Sequence, residues 1–259
     1  MKPRAHRRHE ILKRLERESF VTVADLVTNL GCSAMTIRRD LARLEREGLL
    51  ERSRGGAVAT RRVRLEFALQ ERAAEKRAVK AAIGRAAADL VNEGERIILD
   101  TGTTTLAMAR ALRGRSGVSV VTTSLAIVSE LLHAPGIECM LLGGIVRESS
   151  PDLYGPLLED NLARIHADGA FIGCDGLSED GVLMTTDPRV ARATALMIEN
   201  AGHVVLLTDS SKAGRNAFIS FGTVEQLDCL ITDEAIPQMF LDRARAAGLE
   251  TILVDVTNE

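Results

Sequence analysis

Residues 33–58 are SAMTIRRDLARLEREGLLERSRGGAV, and this stretch decides the fold of the N-terminal part of the chain. Ile37, Leu41 and Leu44 recur at helical spacing, which predicts one buried face of a helix. Gly48 is expected to end this helix, because glycine readily adopts the left-handed conformation that follows many helices. We therefore predict a helix that packs its apolar face against other helices.

A second face of this predicted helix is polar and cationic. It carries Thr36, Arg39, Arg43 and Arg46, with Arg38 at its border and Ser33 as the expected N-cap. In the major groove of DNA, the N-terminal residues of such a helix reach base edges, while arginines contact guanine edges or phosphates. A solvated surface is the alternative, so the neighbouring elements have to decide between the two.

The neighbouring elements favour a winged helix-turn-helix. Residues 4–18 have the one-sided apolar stripe of an amphipathic helix, and a short helix from Val23 to Leu30 is predicted between Thr22 and Gly31. After the third helix, the Gly55-Gly56 pair predicts a tight turn between two short strands.

The predicted hairpin carries two arginines, Arg52 and Arg54, which are expected at the phosphate backbone or in the minor groove. Together with the third helix they complete a candidate DNA-binding set. This set is Ser33, Thr36, Arg38, Arg39, Arg43, Arg52 and Arg54.

These motifs resemble the DNA-binding head of the DeoR family of bacterial transcriptional regulators over residues 6–59. The matching residues are Thr36-Ile37-Arg38-Arg39-Asp40-Leu41, Leu44-Glu45, Gly48 and Arg52-x-x-Gly55-Gly56-Ala57. The family commonly has histidine where this chain has Arg54. The resemblance implies that the head binds double-stranded operator DNA.

The charge of the chain divides at nearly the same place. Residues 1–64 contain 16 Lys+Arg and 8 Asp+Glu, a net charge of +8, whereas the remainder carries −11. This asymmetry indicates a basic nucleic-acid-binding end joined to an acidic body. We predict a DNA-binding domain at 1–59, a linker that becomes helical at 60–79 and an α/β domain at 80–259.

Composition argues against several other classes of protein. No apolar run approaches the roughly 20 residues of a membrane span, and the basic N-terminal segment lacks the apolar part of a secretory signal. The four cysteines form no C-x-x-C pair, so we expect neither disulfides nor a metal site, and a cytoplasmic location fits. Only 3% of the residues are aromatic, which disfavours an RNA-binding module that stacks bases.

Beyond the linker, short aliphatic runs alternate with helical patterns such as Leu106–Leu112, Leu125–Leu132 and Val190–Asn200. This alternation predicts an α/β fold with a mostly parallel sheet that is covered on both faces. The predicted strands are Arg96–Leu99, Val118–Val121, Ile137–Leu142, Gly169–Ile172, Val204–Leu207, Cys229–Ile231 and Thr251–Val254. In such sheets, ligands bind at the carboxyl ends of the strands.

Five loops with hydroxyl, glycine or charged residues follow these strands. Their candidate binding residues are Asp100, Gly102, Thr103 and Thr104, then Thr122, Thr123 and Ser124, then Gly143 and Gly144, then Asp175 and Gly176, and finally Lys212. Helix N-termini with free amides bind phosphate, and Lys212 adds a cation. We expect a pocket for a small phosphorylated, hydroxyl-rich molecule, with Arg147, Arg189 and Arg192 as further candidates.

Residues 75–255 resemble the effector domain of the same DeoR family, which is similar in fold to ribose-5-phosphate isomerase. The matching segments are Asp100-x-Gly102-x-Thr104, Thr122-x-Ser124, Leu142-Gly143-Gly144, Asp168-x-Ala170-Phe171-x-Gly173, Gly176, Gly181 and Asp209-x-Ser211-Lys212. The family usually has asparagine at Thr123 and often Glu-Ala at Val190-Ala191. The resemblance implies a phosphorylated sugar as the effector that changes operator affinity.

Two functions compete at this stage. The first is a DNA-binding regulator, a repressor of sugar-metabolism genes that acts as a dimer or tetramer. The second is a sugar-phosphate isomerase or hydrolase with an appended head, in which Asp100, Asp175 and Lys212 act as acid, base and electrostatic stabiliser. No histidine lies in the five loops, so we predict a regulator without enzymatic activity or cofactor.

Overall fold

The structure is a computed structural model that describes residues 4–18, 20–60, 69–148 and 150–256. The chain divides into two compact units. One is Met1–Arg72 with Glu148–Ser150, and the other is Ala73–Arg147 with Pro151–Glu259. Residues 61–68 of the predicted linker lie outside the described ranges, and residues 69–74 are helical. The domain boundaries at 59 and 80 stay a prediction.

The first unit is a winged helix-turn-helix, as predicted. Its elements are α1 (Arg4–Glu18), β1 (Phe20–Thr22), α2 (Val23–Leu30), α3 (Ala34–Arg46), β2 (Leu50–Ser53) and β3 (Gly56–Ala59). The strands form an antiparallel sheet in the order β1-β3-β2. The short strand β1 was not expected from the sequence.

The helix ends of this unit follow the predicted caps. The hydroxyl of Thr22 accepts a hydrogen bond from the amide of Asp25 at 3.0 Å, which begins α2. Gly31 ends α2 in the left-handed conformation, at a φ of 63°. Ser33 caps α3 through the amide of Thr36 at 3.3 Å. Local sequence therefore determines the spacing between α2 and α3.

The hairpin differs from the expectation by one residue. The turn is formed by Arg54 and Gly55, and Gly56 already belongs to β3. A Cβ atom at Gly56 would lie 2.0 Å from the carbonyl oxygen of Val21, so the close approach of β1 requires a glycine there. The Gly55-Gly56 pair thus serves two purposes, a turn and a strand contact, where a single turn was predicted.

The core of the head is apolar, with one buried ion pair at its border. Ile37, Leu41 and Leu44 are at most 2% exposed, which confirms the predicted buried face of α3. The guanidinium of Arg7 on α1 donates to both carboxylate oxygens of Asp40 on α3, at 2.8 and 3.3 Å. This two-point contact fixes the orientation of α3 against α1.

The second unit is built on a large sheet with helices around it. Its helices are α4 (Arg77–Asp89), α5 (Thr103–Leu112), α6 (Leu125–Leu131), α7 (Pro156–Leu162), α8 (Pro188–Glu199) and α9 (Gln238–Ala246). The large sheet contains β4 (Arg96–Leu99), β5 (Val118–Thr122), β6 (Ile137–Leu141), β9 (Gly169–Ile172), β12 (Val204–Leu207), β14 (Cys229–Asp233) and β15 (Glu250–Val254). Shorter strands are β7 (Ile145–Val146), β8 (Leu153–Tyr154), β10 (Gly176–Leu177), β11 (Val182–Thr185) and β13 (Ile219–Thr223).

The large sheet has the strand order β15-β14-β12-β9-β4-β5-β6, and all neighbouring strands are parallel. All seven predicted strands are present, so the predicted α/β fold is confirmed. The chain runs outward from β4 to β6 and then returns to β9 on the other side of β4. The order therefore reverses between β4 and β9, which is where ligands bind in such sheets.

Helices cover both faces of the sheet, as predicted. Ile97, Ile98 and Leu99 are each fully buried, although consecutive strand residues point to opposite faces. Helices α7 and α8 join one buried cluster with Ile98, whereas α4 packs against α5 and against β14. No helix in the described ranges combines the length and apolar composition that a membrane span requires.

Two small sheets extend the unit beyond the predicted elements. Strands β7 and β8 form a hairpin, and β10, β11 and β13 form an antiparallel sheet. Strands β7 and β8 follow β6, strands β10 and β11 follow β9, and β13 follows a short 3-10 helix at Ser210–Lys212. They therefore lie in the loops that carry the candidate binding residues. They give those loops a defined structure.

Candidate functional site

The predicted DNA-binding residues of α3 lie on the surface of the head. Ser33, Arg38, Arg39 and Arg43 are exposed, and Thr36 is half-buried. The hydroxyl oxygens of Ser33 and Thr36 are 3.0 Å apart, in addition to the capping bond. These two side chains therefore stabilise the start of α3, and their predicted contact with bases stays a prediction.

The arginines of the head fall into two groups. Arg43 pairs with Glu47 at 2.9 Å, and Arg52 lies 3.7 Å from Glu45. A DNA phosphate would have to compete with these carboxylates. Arg38, Arg39 and Arg54 form no ion pair with any residue in the described ranges, so their charge is available to a phosphate or a base edge.

One exposed residue of α3 was missing from the predicted set. Met35 is 65% exposed, although it is large and apolar. It lies almost opposite the buried stripe of Ile37, Leu41 and Leu44, since each helical residue advances by about 100°. The predicted polar face was centred on Thr36 and Arg43, which lie further round the helix. The same geometry applied to the sequence would have found Met35.

At the reversal of strand order, the side chain of Asp100 connects the ends of β4 and β9. Its carboxyl group accepts hydrogen bonds from the amides of Thr101 at 2.7 Å and Gly173 at 3.3 Å. The hydroxyl of Thr194 on α8 is 3.4 Å away. Burial raises the pKa of Asp100 to about 7, and the nearby charge of Asp152 acts in the same direction.

The start of α5 is the predicted anion site, and no side chain caps it. Gly102 is the N-cap residue and provides no side-chain hydrogen bond to the first turn. The first amides of a helix have no partner within the helix, and the helix dipole favours a negative charge there. Thr103 and Thr104 are half-buried at this end.

The hydroxyls of the second loop have structural partners. Thr122 donates to the carbonyl of Leu99 at 2.8 Å and accepts from the amide of Ser124 at 3.1 Å. Ser124 caps α6 through the amide of Ile127 at 3.3 Å. Thr123 is 2% exposed. These contacts explain the residue types without a ligand, so the predicted binding role is untested.

Close backbone approaches require two of the three candidate glycines in the other loops. A Cβ atom at Gly144 would lie 2.7 Å from the carbonyl oxygen of Tyr154, and one at Gly176 would lie 2.2 Å from that of Arg215. Gly143 has more room, since its nearest neighbour would be Leu157 at 3.6 Å. Of these three glycines, only Gly143 lies where a Cβ atom would fit, so packing does not account for a glycine there.

Arg147 is buried in an ion-pair network, where a solvated or ligand-facing cation was expected. It donates to both carboxylate oxygens of Asp152, at 2.8 and 2.7 Å, and to Asp187 at 3.2 Å. Asp187 also accepts two bonds from Arg189, which hold its pKa well below the usual range. These contacts give Arg147 a structural role that its place in the sequence did not indicate.

The remaining candidate arginines lie on α8. The guanidinium of Arg189 stacks on the ring of Tyr154, 4.5 Å from its centre. Arg192 is exposed and lies 3.6 Å from Glu159 on α7. Arg189 is therefore held by Asp187 and Tyr154, whereas Arg192 has a single, longer contact with Glu159.

The positive charge of Lys212 acts on the carboxylate of Asp175 at the same edge of the sheet. Burial raises the pKa of Asp175, but hydrogen bonds from Thr186 and Thr185 and the charge of Lys212 outweigh it and lower the pKa overall. The ammonium of Lys212 has no hydrogen-bond or ion-pair partner among the described residues. Lys212 is therefore a cation of the fifth loop whose charge is not used in a hydrogen bond or ion pair with the described residues.

Hydrogen bonds link four of the five loops in pairs. Asp100 accepts from the amide of Gly173, which joins the first loop to the fourth. The amides of Leu142 and Leu153 donate to the carbonyls of Thr122 and Thr123 at 3.0 and 2.9 Å, which joins the second loop to the third. The described residues include no group of three His, Cys, Asp or Glu side chains that could hold a metal ion.

A winged helix-turn-helix with exposed arginines, on one chain with a parallel sheet and a polar loop edge, defines a DNA-binding regulator with a sensor unit. Sequence profiles agree with this class. Residues 7–63 match the DeoR-like helix-turn-helix domain, and residues 75–234 match the DeoR C terminal sensor domain. The chain therefore belongs to the DeoR family of transcriptional regulators, which confirms the resemblance.

Full-length relatives support the same assignment. The chain is 34% identical to the HTH-type transcriptional regulator GlpR of Haloferax volcanii, over 96% of this chain and 97% of the relative. It is 34% identical to the repressor GlcR of Bacillus subtilis (95% and 94% covered). It is 31% identical to the glycerol-3-phosphate regulon repressor of Escherichia coli K12 (89% and 91% covered).

Among solved structures, ribose 5-phosphate isomerase A of Methanocaldococcus jannaschii matches with a TM-score of 0.41 and 23% identity, over 53% of this chain and 55% of the isomerase. The family and its full-length relatives are regulators. The chain is thus a transcriptional regulator and not an enzyme, and the isomerase alternative is wrong.

The raised pKa of Asp100 predicts a specific pH dependence of stability. The folded protein holds a proton on Asp100 up to about pH 7, whereas the unfolded chain releases it near pH 4, so stability falls between these values. The free energy of unfolding of Asp100→Asn, which has no ionisable group there, should rise relative to that of the wild type by about 2–3 kcal/mol between about pH 5 and pH 8.

Urea unfolding of the two proteins at both pH values measures this difference. Asp89→Asn, at an exposed carboxylate of α4, is the matched control and should leave the pH profile of the wild type unchanged. A constant difference between wild type and Asp100→Asn at the two pH values would contradict the assignment.

Proposed function

We propose that the protein is a repressor of carbohydrate-metabolism genes in the cytoplasm, and that a phosphorylated sugar bound at the sheet edge changes its affinity for operator DNA. The observation that carries the proposal is the start of α5, which no side chain caps, together with Lys212, whose ammonium has no ion-pair partner among the described residues. Free amides, threonine hydroxyls and a cation are the groups that bind phosphate.

The DNA half of the proposal rests on the exposed face of α3 and on the hairpin. The predicted set of seven residues, from Ser33 to Arg54, lies on one recognition helix and one wing. Arg38, Arg39 and Arg54 have no carboxylate partner in the part of the chain that the structure describes, whereas Arg43 and Arg52 need an exchange of partner. Because phosphate contacts release counterions, operator affinity should depend steeply on salt.

The effector half rests on the loop edge. Asp100, Asp175 and Gly176 shape the site through hydrogen bonds and close packing, and the second-loop hydroxyls keep the loop in position. Thr103, Thr104 and Lys212 would contact the phosphate. Gly143 leaves space for the ligand, and Arg192 is exposed enough to reach it. The name of the glycerol-3-phosphate regulon repressor supports a phosphorylated effector of this kind.

A homo-oligomer, a dimer or a tetramer, would complete the mechanism. One recognition helix covers one half-site, so two heads are needed for an operator with two half-sites. The effector would change operator affinity by changing the relative placement of the heads. Such coupling is a free energy that links two binding sites.

Replacing Arg39 by alanine should weaken operator binding. The loss of one cation that contacts DNA should reduce affinity several-fold and lower the slope of log affinity against log salt by about one. Fluorescence anisotropy with a duplex selected by the protein from randomised DNA measures both quantities. Arg113→Ala, at an exposed arginine of the sensor unit, is the control. Equal affinity of Arg39→Ala and wild type would remove α3 from the interface.

Replacing Lys212 by glutamine should weaken the response to the effector. A hydrogen bond to a charged group contributes roughly 1.5–3 kcal/mol, so about ten-fold more phosphorylated sugar should be needed for the same shift in operator affinity. A panel of sugar phosphates and their unphosphorylated counterparts identifies the ligand first. Arg245→Gln, at an exposed arginine of α9, is the control. The effector proposal fails if the unphosphorylated sugars act equally well or Lys212→Gln responds normally.

A further inference from the structure

The outward stripe of α3 has an unexpected composition. The buried stripe of α3 is Ile37, Leu41 and Leu44. Successive residues of a helix are rotated by about 100° around its axis. Met35 and Arg39 fall within about 30° of the line opposite that core. The outward side of α3 thus carries an apolar residue in its first turn.

Met35 has no structural task that accounts for it. It belongs neither to the buried cluster of the head nor to the partly buried residues packed against that cluster. Its side chain is 65% exposed, compared with 41% for Phe20, the next large exposed apolar residue in the head. When a partner covers exposed apolar surface, the free energy of binding becomes more favourable by about 25 cal/mol per Å².

The groups around Met35 indicate the chemistry of that partner. The hydroxyls of Ser33 and Thr36 lie at the same helix end, and Arg38 and Arg39 follow at three and four residues, where side chains share a face. The apolar side chain of Met35 thus lies among hydroxyl groups and cations. Such a group fits a partner surface on which a methyl group is surrounded by hydrogen-bond acceptors and phosphates. A cationic surround of this kind would be unfavourable for a purely apolar protein surface.

One base has this property in the major groove. Thymine alone carries a methyl group there, next to acceptor atoms, and apolar side chains contact it. We propose that Met35 recognises the 5-methyl group of thymine in each operator half-site. This inference rests on the proposed DNA-binding role of α3 and adds one sequence-specifying contact to it.

The experiment replaces thymine by uracil, which differs only by this methyl group. Full-length protein first selects its duplex from randomised DNA, and single uracils are then placed at each thymine in turn. For the wild type, one or two positions per half-site should lose about four-fold in affinity, the worth of one buried methyl group. For Met35→Ala, uracil and thymine should bind equally at those positions.

Two control variants separate this contact from general effects. Met35→Leu keeps an apolar side chain and should retain a preference for thymine. Met239→Ala removes an exposed methionine of α9 and should behave as the wild type. Because Met35 is exposed, Met35→Ala should fold, and unchanged thermal unfolding verifies this.

The outcomes distinguish the two levels of the proposal. If the protein selects a duplex but uracil has no effect, or the same effect in Met35→Ala, the role of Met35 is overturned while α3 remains a DNA-binding helix. If Met35→Ala alters the oligomer mass and leaves uracil discrimination intact, Met35 contacts protein instead. If no duplex is selected, the proposed function fails and the role of Met35 with it.

Discussion

A buried carboxyl group at the reversal of the sheet joins three elements of the sensor unit. Asp100 follows β4, and its hydrogen bonds reach the end of β9 and the middle of α8. Parallel strands whose order reverses leave a crevice at their carboxyl ends. Asp100 connects the two strand ends that border this crevice, directly before the start of α5. Because the group is buried, its proton also makes the unit sensitive to pH.

The other loop residues divide between support and binding. Thr122, Ser124 and Gly144 satisfy backbone groups or allow close approaches, so they shape the site. Arg147 neutralises two buried carboxylates, and removal of such a partner leaves an uncompensated buried charge. Lys212 and the start of α5 have no equivalent task. Some polar groups of the loops thus have hydrogen-bond partners within the fold, while Lys212 and the start of α5 have none among the described residues. This contrast is the physical basis for proposing a phosphate at the sheet edge.

Local signals in the sequence were sufficient for the elements that depend on local interactions. Thr22, Gly31 and Ser33 cap helices as predicted, because capping involves residues within three or four positions. The seven strands of the large sheet were recognisable from aliphatic runs. The loops that carry candidate residues were therefore predictable as well, since they follow the strands.

Features that depend on distant partners were not predictable. The role of Gly56 requires β1, a three-residue strand without an apolar pattern of its own. The burial of Arg147 depends on Asp187, which lies forty residues away in sequence. Met35 differs from these features, because the helical spacing of Ile37, Leu41 and Leu44 alone places it on the outward side of α3. The predicted face follows the charged residues instead, and the exposed fraction of 65% draws Met35 to notice.

The central claim is that one site for a phosphorylated sugar and one site for operator DNA share a coupling free energy. Linkage requires this coupling to be reciprocal. Isothermal titration of the effector into the full-length protein, with and without saturating operator duplex, measures it directly. The account predicts that operator changes the effector Kd by the same factor by which the effector changes the operator Kd. An effector Kd that is identical with and without operator would contradict it.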